Sequence, residues 1–203
     1  MNKMTGIYAI ILASGQSKRM GTPKLLLQWK GMYIIEHILS KTVSLPFAGL
    51  KVVIPKDNES LKKTVSNYPC DPIYNFSPSL GLGYSLSLGI RSLPADAKAA
   101  IILLGDQPGI DSEDIQNLCT EYVLNDFCNN KVIMQTKYQD GQIGHPILFS
   151  SHFFQALTAA SGDRGGKDII QRNLRFLSIC HSDNLYPEDI DTPHDYLKLI
   201  LEE

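Results

Sequence analysis

Apolar residues in this chain fall into short continuous runs, and between them come stretches with helical spacing. Residues 7–13 (IYAIILA) form an unbroken β-rich run closed by Ser14 and Gly15, the pattern of a strand buried on both faces. Ile34, Ile35, Ile38, Leu39 and Val43 recur at helical spacing up to Pro46. Residues 50–54 (LKVVI) predict a second buried strand, and 58–67 a polar helix capped by Asp57 or Asn58. Ile73-Tyr74 predicts a short strand. A glycine-rich loop at 77–83 leads into a helix over 84–93. Residues 99–104 (AAIILL) are the strongest strand after the first and run into Gly105-Asp106-Gln107-Pro108. Asp111 then caps a helix with Glu113 and Asp114 in its first turn and Ile115, Leu118, Cys119, Tyr122 and Val123 on one face.

The remainder is more broken. Strands are predicted at 132–135, 146–149 and 176–179, with a turn around Asp140-Gly141 and a helix marked by Phe153, Phe154 and Leu157. A second glycine-rich polar loop, 161–167, precedes Ile169-Ile170. Thr192-Pro193-His194-Asp195 starts a last helix, expected to bury Tyr196, Leu197, Ile200 and Leu201. Strands alternating with helices at these distances predict an α/β fold: one doubly wound, mostly parallel sheet in a single domain over residues 1–203. Ligands of such sheets bind beyond the carboxyl ends of the strands, here at the tails of 7–13 and 99–104.

Composition narrows the function. A formal net charge of −2 argues against a surface devoted to nucleic acid, and the basic residues sit in one loop with no aromatic stripe. Charge is unevenly placed: Lys3, Lys18, Arg19, Lys24 and Lys30 all precede the first acid, Glu36, whereas 183–203 hold seven acids and one lysine. That asymmetry suits a cationic phosphate site at one end of the chain and metal-binding carboxylates from the other. Cys70, Cys119, Cys128 and Cys180 form no CxxC pair and are expected to be unpaired thiols. No signal peptide and no run near the ~20 apolar residues of a membrane span is present, so the expected location is cytoplasmic.

The loop after the first strand is neither a Walker A motif nor a dinucleotide fingerprint. Its run L-A-S-G-Q-S-K-R-M-G-T-P-K, from Leu12 to Lys24, resembles the signature of the nucleotidylyltransferases that build molybdenum cofactor dinucleotides, closest to the cytidylyltransferase (MocA-like) branch. The resemblance implies that Leu12, Ala13, Ser14 and Gly15 wrap a nucleoside triphosphate whose phosphates meet Arg19 and Lys24. Cations there suit charge developing on phosphate oxygens. Asp106, in G-D-Q-P, reads as a turn cap or a Mg²⁺ ligand on its own; the resemblance implies metal. Asn75, Gly81 and Ser85 match the family segment that holds the nucleoside, with Phe76 in place of the usual proline.

Gly144-His145-Pro146 and the run Gly162 to Lys167 resemble the elements on the acceptor side, which implies His145, Asp163 and Lys167 near the molybdopterin phosphate. Gly166 and Lys167 stand where alanine and arginine are typical, and lysine lacks the arginine fork. Asp191, in D-I-D-T-P-H-D-Y, either completes the metal site or caps the last helix. Ser14 stands where the cytidylyl branch has alanine and the guanylyl branch glycine, and any side chain there crowds a purine. The reading is CMP transfer from CTP to molybdopterin with Mg²⁺, possible service to a molybdoenzyme or its maturation factor, and no membrane or nucleic-acid partner. A sugar or polyol phosphate acceptor, GTP as donor, and a non-catalytic carrier of the cofactor are the alternatives.

Overall fold

The computed structural model describes residues 4–125, 127 and 130–201. Its centre is a seven-stranded sheet, formed in chain order by β1 (Met4–Leu12), β4 (Phe47–Pro55), β5 (Asp71–Asn75), β6 (Ala99–Leu104), β7 (Ile133–Lys137), β8 (Ile143–Ser150) and β9 (Leu177–His181). The spatial order is β5-β4-β1-β6-β8-β7-β9. Pairings β1–β4, β1–β6, β4–β5 and β7–β9 are parallel, while β8 runs antiparallel to both β6 and β7.

Helices α1 (Ile34–Val43), α2 (Glu59–Val65), α3 (Gly81–Arg91), α4 (Ser112–Leu124), α5 (Phe154–Leu157), α6 (Lys167–Arg172) and α7 (Pro193–Leu201) cover its faces. The alternation of side chains along a strand explains the double winding. In β1, Ile7, Ala9 and Ile11 join a core with α1 and α4 residues, whereas Ile10 and Leu12 join Leu86, Ile90, Phe153, Leu157 and Ile170 on the opposite face. A strand buried on both sides must be apolar at every position, which is why β1 and β6 read so clearly. Among the described residues, no helix is long and apolar enough to cross a membrane.

Four features differ from expectation. A two-stranded ribbon, β2 (Gln28–Trp29) with β3 (Met32–Tyr33), lies between the first loop and α1. Its turn residues Lys30 and Gly31 have φ of 45° and 76°, the doubly left-handed geometry of a tight hairpin. His37 Nε2–H donates to Trp29 O at 2.8 Å and ties the ribbon to α1. Helix α3 begins at Gly81, three residues before the expected start at 84. Strand β8 starts at Ile143 rather than 146 and carries Pro146 within it. The last helix does not bury what its pattern suggested: Leu197 and Leu201 are 52% and 81% exposed, and only Tyr196 and Leu199 pack on the core. Cys70, Cys119 and Cys180 are free thiols, and Cys128 lies outside the described residues.

Candidate active site

The carboxyl ends of β1 and β6 open into a cleft of about 460 Å³. After β1 the chain turns through Ser17, whose carbonyl accepts from the amides of Met20 and Gly21 and whose Oγ accepts from Lys24 N at 3.2 Å. This closed loop delivers Lys24 to a short 3-10 turn, Lys24–Leu26, with its side chain pointing inward. Lys24 is 7% exposed, and its Nζ donates to Asp106 Oδ2 at 2.5 Å and to Asp191 Oδ1 at 2.7 Å. Arg19 Nη2 donates to the other oxygen of Asp191 at 2.6 Å. Burial works against the Lys24 charge, but the ion pair with Asp106 and then Asp191 outweighs it and holds the ammonium above the usual lysine range. Burial likewise disfavours the Asp191 anion, and Lys24 and Arg19 together overcome it.

A third carboxylate stands beside this pair. Asp189 Oδ1 is buried without a hydrogen-bond partner. Burial, then the negative charges of Asp106 and Asp191, push the Asp189 carboxyl up to about 6. The segment 184–191 that carries Asp189 and Asp191 is strapped across the end of β6. Ile190 N donates to Asp106 O at 3.0 Å, and the buried Gln107 Nε2 donates to Pro187 O at 3.0 Å and Tyr186 Oη at 3.2 Å. Farther back, buried Asp114 accepts from Ser182 Oγ at 2.5 Å and Asn184 Nδ2 at 3.2 Å. Capping of α7 falls to other groups: Asp195 Oδ2 accepts from the amides of Thr192 and Asp191, and Thr192 Oγ1 accepts from Asp195 N. The side chains of Asp189 and Asp191 are thereby left to the cleft.

Three carboxylates against two cations, one oxygen of them unpartnered, fit a divalent cation. Among the described residues no three Asp, Glu, His or Cys groups form a ready ligand shell. A cation that takes one or two carboxylates and completes its shell with phosphate oxygens and water suits that arrangement.

On the other wall, Ser14 Oγ lies 2.6 Å from Ser85 Oγ, and Asn75 Nδ2 donates to both hydroxyls at 3.0 and 3.2 Å. Asn75 Oδ1 accepts from Ser77 N at 2.8 Å, which binds the following loop to the same post. The loop 161–165 docks onto the start of α3 through Gly83 N to Gly162 O at 2.8 Å and Gly162 N to Leu80 O at 3.1 Å.

Residues 9–176 match the family model described as the MobA-like NTP transferase domain. The chain belongs to that family. Its chemistry is nucleotidyl transfer. Among its relatives, the purine catabolism protein PucB of Bacillus subtilis (strain 168) is 28% identical over 202 residues, 94% of each chain. The bifunctional protein GlmU of Legionella pneumophila (strain Lens) is 31% identical over 114 residues, 55% of this chain but only 24% of that longer protein. The crystal structure of Rv0371c from Mycobacterium tuberculosis H37Rv superposes with a TM-score of 0.83 at 26% identity over 99% of this chain and 100% of that one. The same protein in complex with manganese gives a TM-score of 0.79 at 23% identity over 97% of this chain and 99% of that one.

In this NTP transferase the sequence-derived site residues divide into two groups. Leu12, Ser14, Gly15, Arg19 and Lys24 line the cleft from the β1 side, and Gly81, Ser85, Asp106, Asp163 and Asp191 line it from the others. Ala13 lies in the core, its amide donating to Val53 O, and Asn75 is 1% exposed beneath Ser14 and Ser85. His145 and Lys167 lie outside the cleft lining. Burial, with the Lys167 charge adding to it, drives the His145 imidazole down to about 4, so it is neutral at physiological pH.

Asp189 is a site residue that the sequence does not mark: its environment depends on Asp106, far away in sequence, and only the repeated acid of D-I-D hints at it. Its raised pKa has a signed consequence. Between the ordinary carboxylate value of 3.8 and about 6 the folded chain holds a proton that the unfolded chain has released, so this group's contribution to stability falls as pH rises through that window. Asp189→Asn, isosteric with the protonated acid, is expected to raise the urea midpoint at pH 7.5 and leave it unchanged at pH 4. Equal midpoint shifts at both pH values would contradict it.

Proposed function

We propose that this transferase moves CMP from CTP to the phosphate of molybdopterin and releases pyrophosphate. The observation that carries the reading is Lys24 held between Asp106 and Asp191 at the mouth of β1 and β6, with Arg19 beside them. Lys24 and Arg19 supply positive charge for the phosphates, and the phosphate oxygen of the acceptor attacks the α-phosphorus as the bond to pyrophosphate breaks. Asp106 and Asp191 would hold Mg²⁺, with Asp189 next to them; the ion, when bound, neutralises phosphate charge that builds up in the reaction.

For the donor, Ser14 is 3% exposed and tied to Asn75 and Ser85, so it cannot swing aside for a larger base, and that favours the pyrimidine. For the acceptor, Asp163 lines the cleft, while Lys167 is exposed outside that lining and offers a point charge rather than a fork. That last feature also suits a simpler sugar or polyol phosphate, the second reading.

Mass spectrometry of products after incubation with Mg²⁺, CTP or GTP, and molybdopterin tests the proposal. A CMP–molybdopterin dinucleotide formed faster than the GMP counterpart is expected. Turnover with sugar or polyol phosphates alone would replace the acceptor, and cofactor binding without any dinucleotide would make the protein a carrier.

A further inference from the structure

Lys24 occupies a position that its role as a phosphate ligand does not require. Its ammonium bridges Asp106 Oδ2 and Asp191 Oδ1, and Arg19 takes Asp191 Oδ2, so both oxygens of Asp191 and one of Asp106 are already spoken for by protein cations. The Lys24 side chain is 9% exposed, and its backbone amide is fixed to Ser17 Oγ inside the closed loop. It therefore cannot retreat into water when another cation approaches. A free divalent ion arriving at Asp106 and Asp191 would face a buried ammonium of like sign with nowhere to go, and like charges at that separation repel. A triphosphate removes the obstacle, because it offers Lys24 and Arg19 new anionic partners within the same cleft while carrying its own metal.

We propose that Lys24 is a place-holding cation: in the free protein it keeps Asp106 and Asp191 from a divalent ion, and it gives them up only to a metal–nucleotide complex whose phosphates take over its charge. The substrate that enters is thus the metal-loaded nucleotide, and free metal does not bind first. This rests on the nucleotidyl-transfer reading for the identity of the incoming anion, but not on which base or acceptor is used.

Mn²⁺ is the probe, followed by electron paramagnetic resonance of the unbound ion. Wild-type protein is titrated with Mn²⁺ alone, and then with Mn²⁺ plus the α,β-methylene analogue of CTP or of GTP. The expected result is at least tenfold tighter Mn²⁺ retention with one of the analogues than the sum of protein alone and analogue alone predicts. Lys24→Met is expected to bind Mn²⁺ without nucleotide at least tenfold more tightly than wild type.

Wild-type binding of Mn²⁺ alone as tight as with either analogue overturns the proposal, and so does a folded Lys24→Met protein with unchanged Mn²⁺ affinity. The wild-type titrations decide the matter even if Lys24→Met does not fold. An error in the base shows up as one silent analogue, and an error in the acceptor leaves these titrations untouched. Two silent analogues, with product analysis still showing nucleotidyl transfer from CTP or GTP, would overturn this proposal and leave the nucleotidyl-transfer reading standing.

Discussion

Asp106→Asn is expected to cut pyrophosphate release by at least about a hundredfold to a thousandfold, the cost of removing one charge-stabilising group from a preorganised site. Asparagine keeps the shape of the side chain while losing its charge and one of its two acceptor oxygens. The backbone bond from Ile190 N to Asp106 O, which docks the 184–191 strap, does not involve the side chain and remains. Lys24 retains Asp191 as a partner. The variant should thus unfold in urea close to where wild type does, and the defect should lie in turnover. Lys24→Ala is expected to be at least as damaging, since it removes the proposed phosphate contact and leaves Asp106, Asp189 and Asp191 together without their buried counter-charge. A coupled pyrophosphate assay checks both. Wild-type release from either protein would disprove the assignment of this site.

Gly83→Ala is expected to destabilise the fold. A Cβ at position 83 would stand 2.6–2.7 Å from the backbone O, C and N of Ser161, atoms that cannot rotate out of the way. Relief requires α3 and the 161–165 loop to part, which breaks the Gly83 N to Gly162 O bond. Overpacking of this kind costs about 1–3 kcal/mol, equivalent to a fall in Tm of roughly 2–12 °C for a chain of this size. Gly15→Ala is the control: no atom lies within 4 Å of its would-be Cβ, so its Tm should stay near that of wild type. Thermal unfolding of the two variants side by side makes the test, and equal Tm values would contradict it. Because the same loop carries Asp163 into the cleft, Gly83→Ala should also weaken use of the acceptor more than of the nucleotide.

What could be read from residues alone follows from how local each signal is. β1 and β6 are apolar at nearly every position because both their faces are covered, and no partner need be known to see that. The loop from Ser14 to Lys24 keeps its chemistry within one short stretch. The β2–β3 ribbon leaves no trace in the sequence because two residues per strand give no periodicity, and its Lys30-Gly31 turn puts a lysine in a left-handed conformation that other residues usually fill. The α7 pattern misled because Leu197 and Leu201 repeat at helical spacing, yet the helix meets the core only through Tyr196 and Leu199. Asn75 lies in the segment matched to nucleoside binding, and no window of sequence shows that its amide joins Ser14 to Ser85 beneath the cleft. The environment of Asp189 is created by residues that no window of sequence contains.

The contacts that define the site span most of the chain: Arg19 and Lys24 reach Asp191 across 172 and 167 residues. Asp191 lies beyond residue 176, where the match to the family model ends. Joining such distant points carries a closure entropy that grows only slowly with length, but it cannot be met until the strap exists. In the order of synthesis β1, β4 and β6 all emerge well before the segment that carries Asp189 and Asp191. A nascent chain at that stage would present Arg19 and Lys24 with Asp106 alone, a surface able to hold phosphate but lacking its second carboxylate. Competence for transfer would then arrive in one late step, when the 184–191 segment folds back over the end of β6.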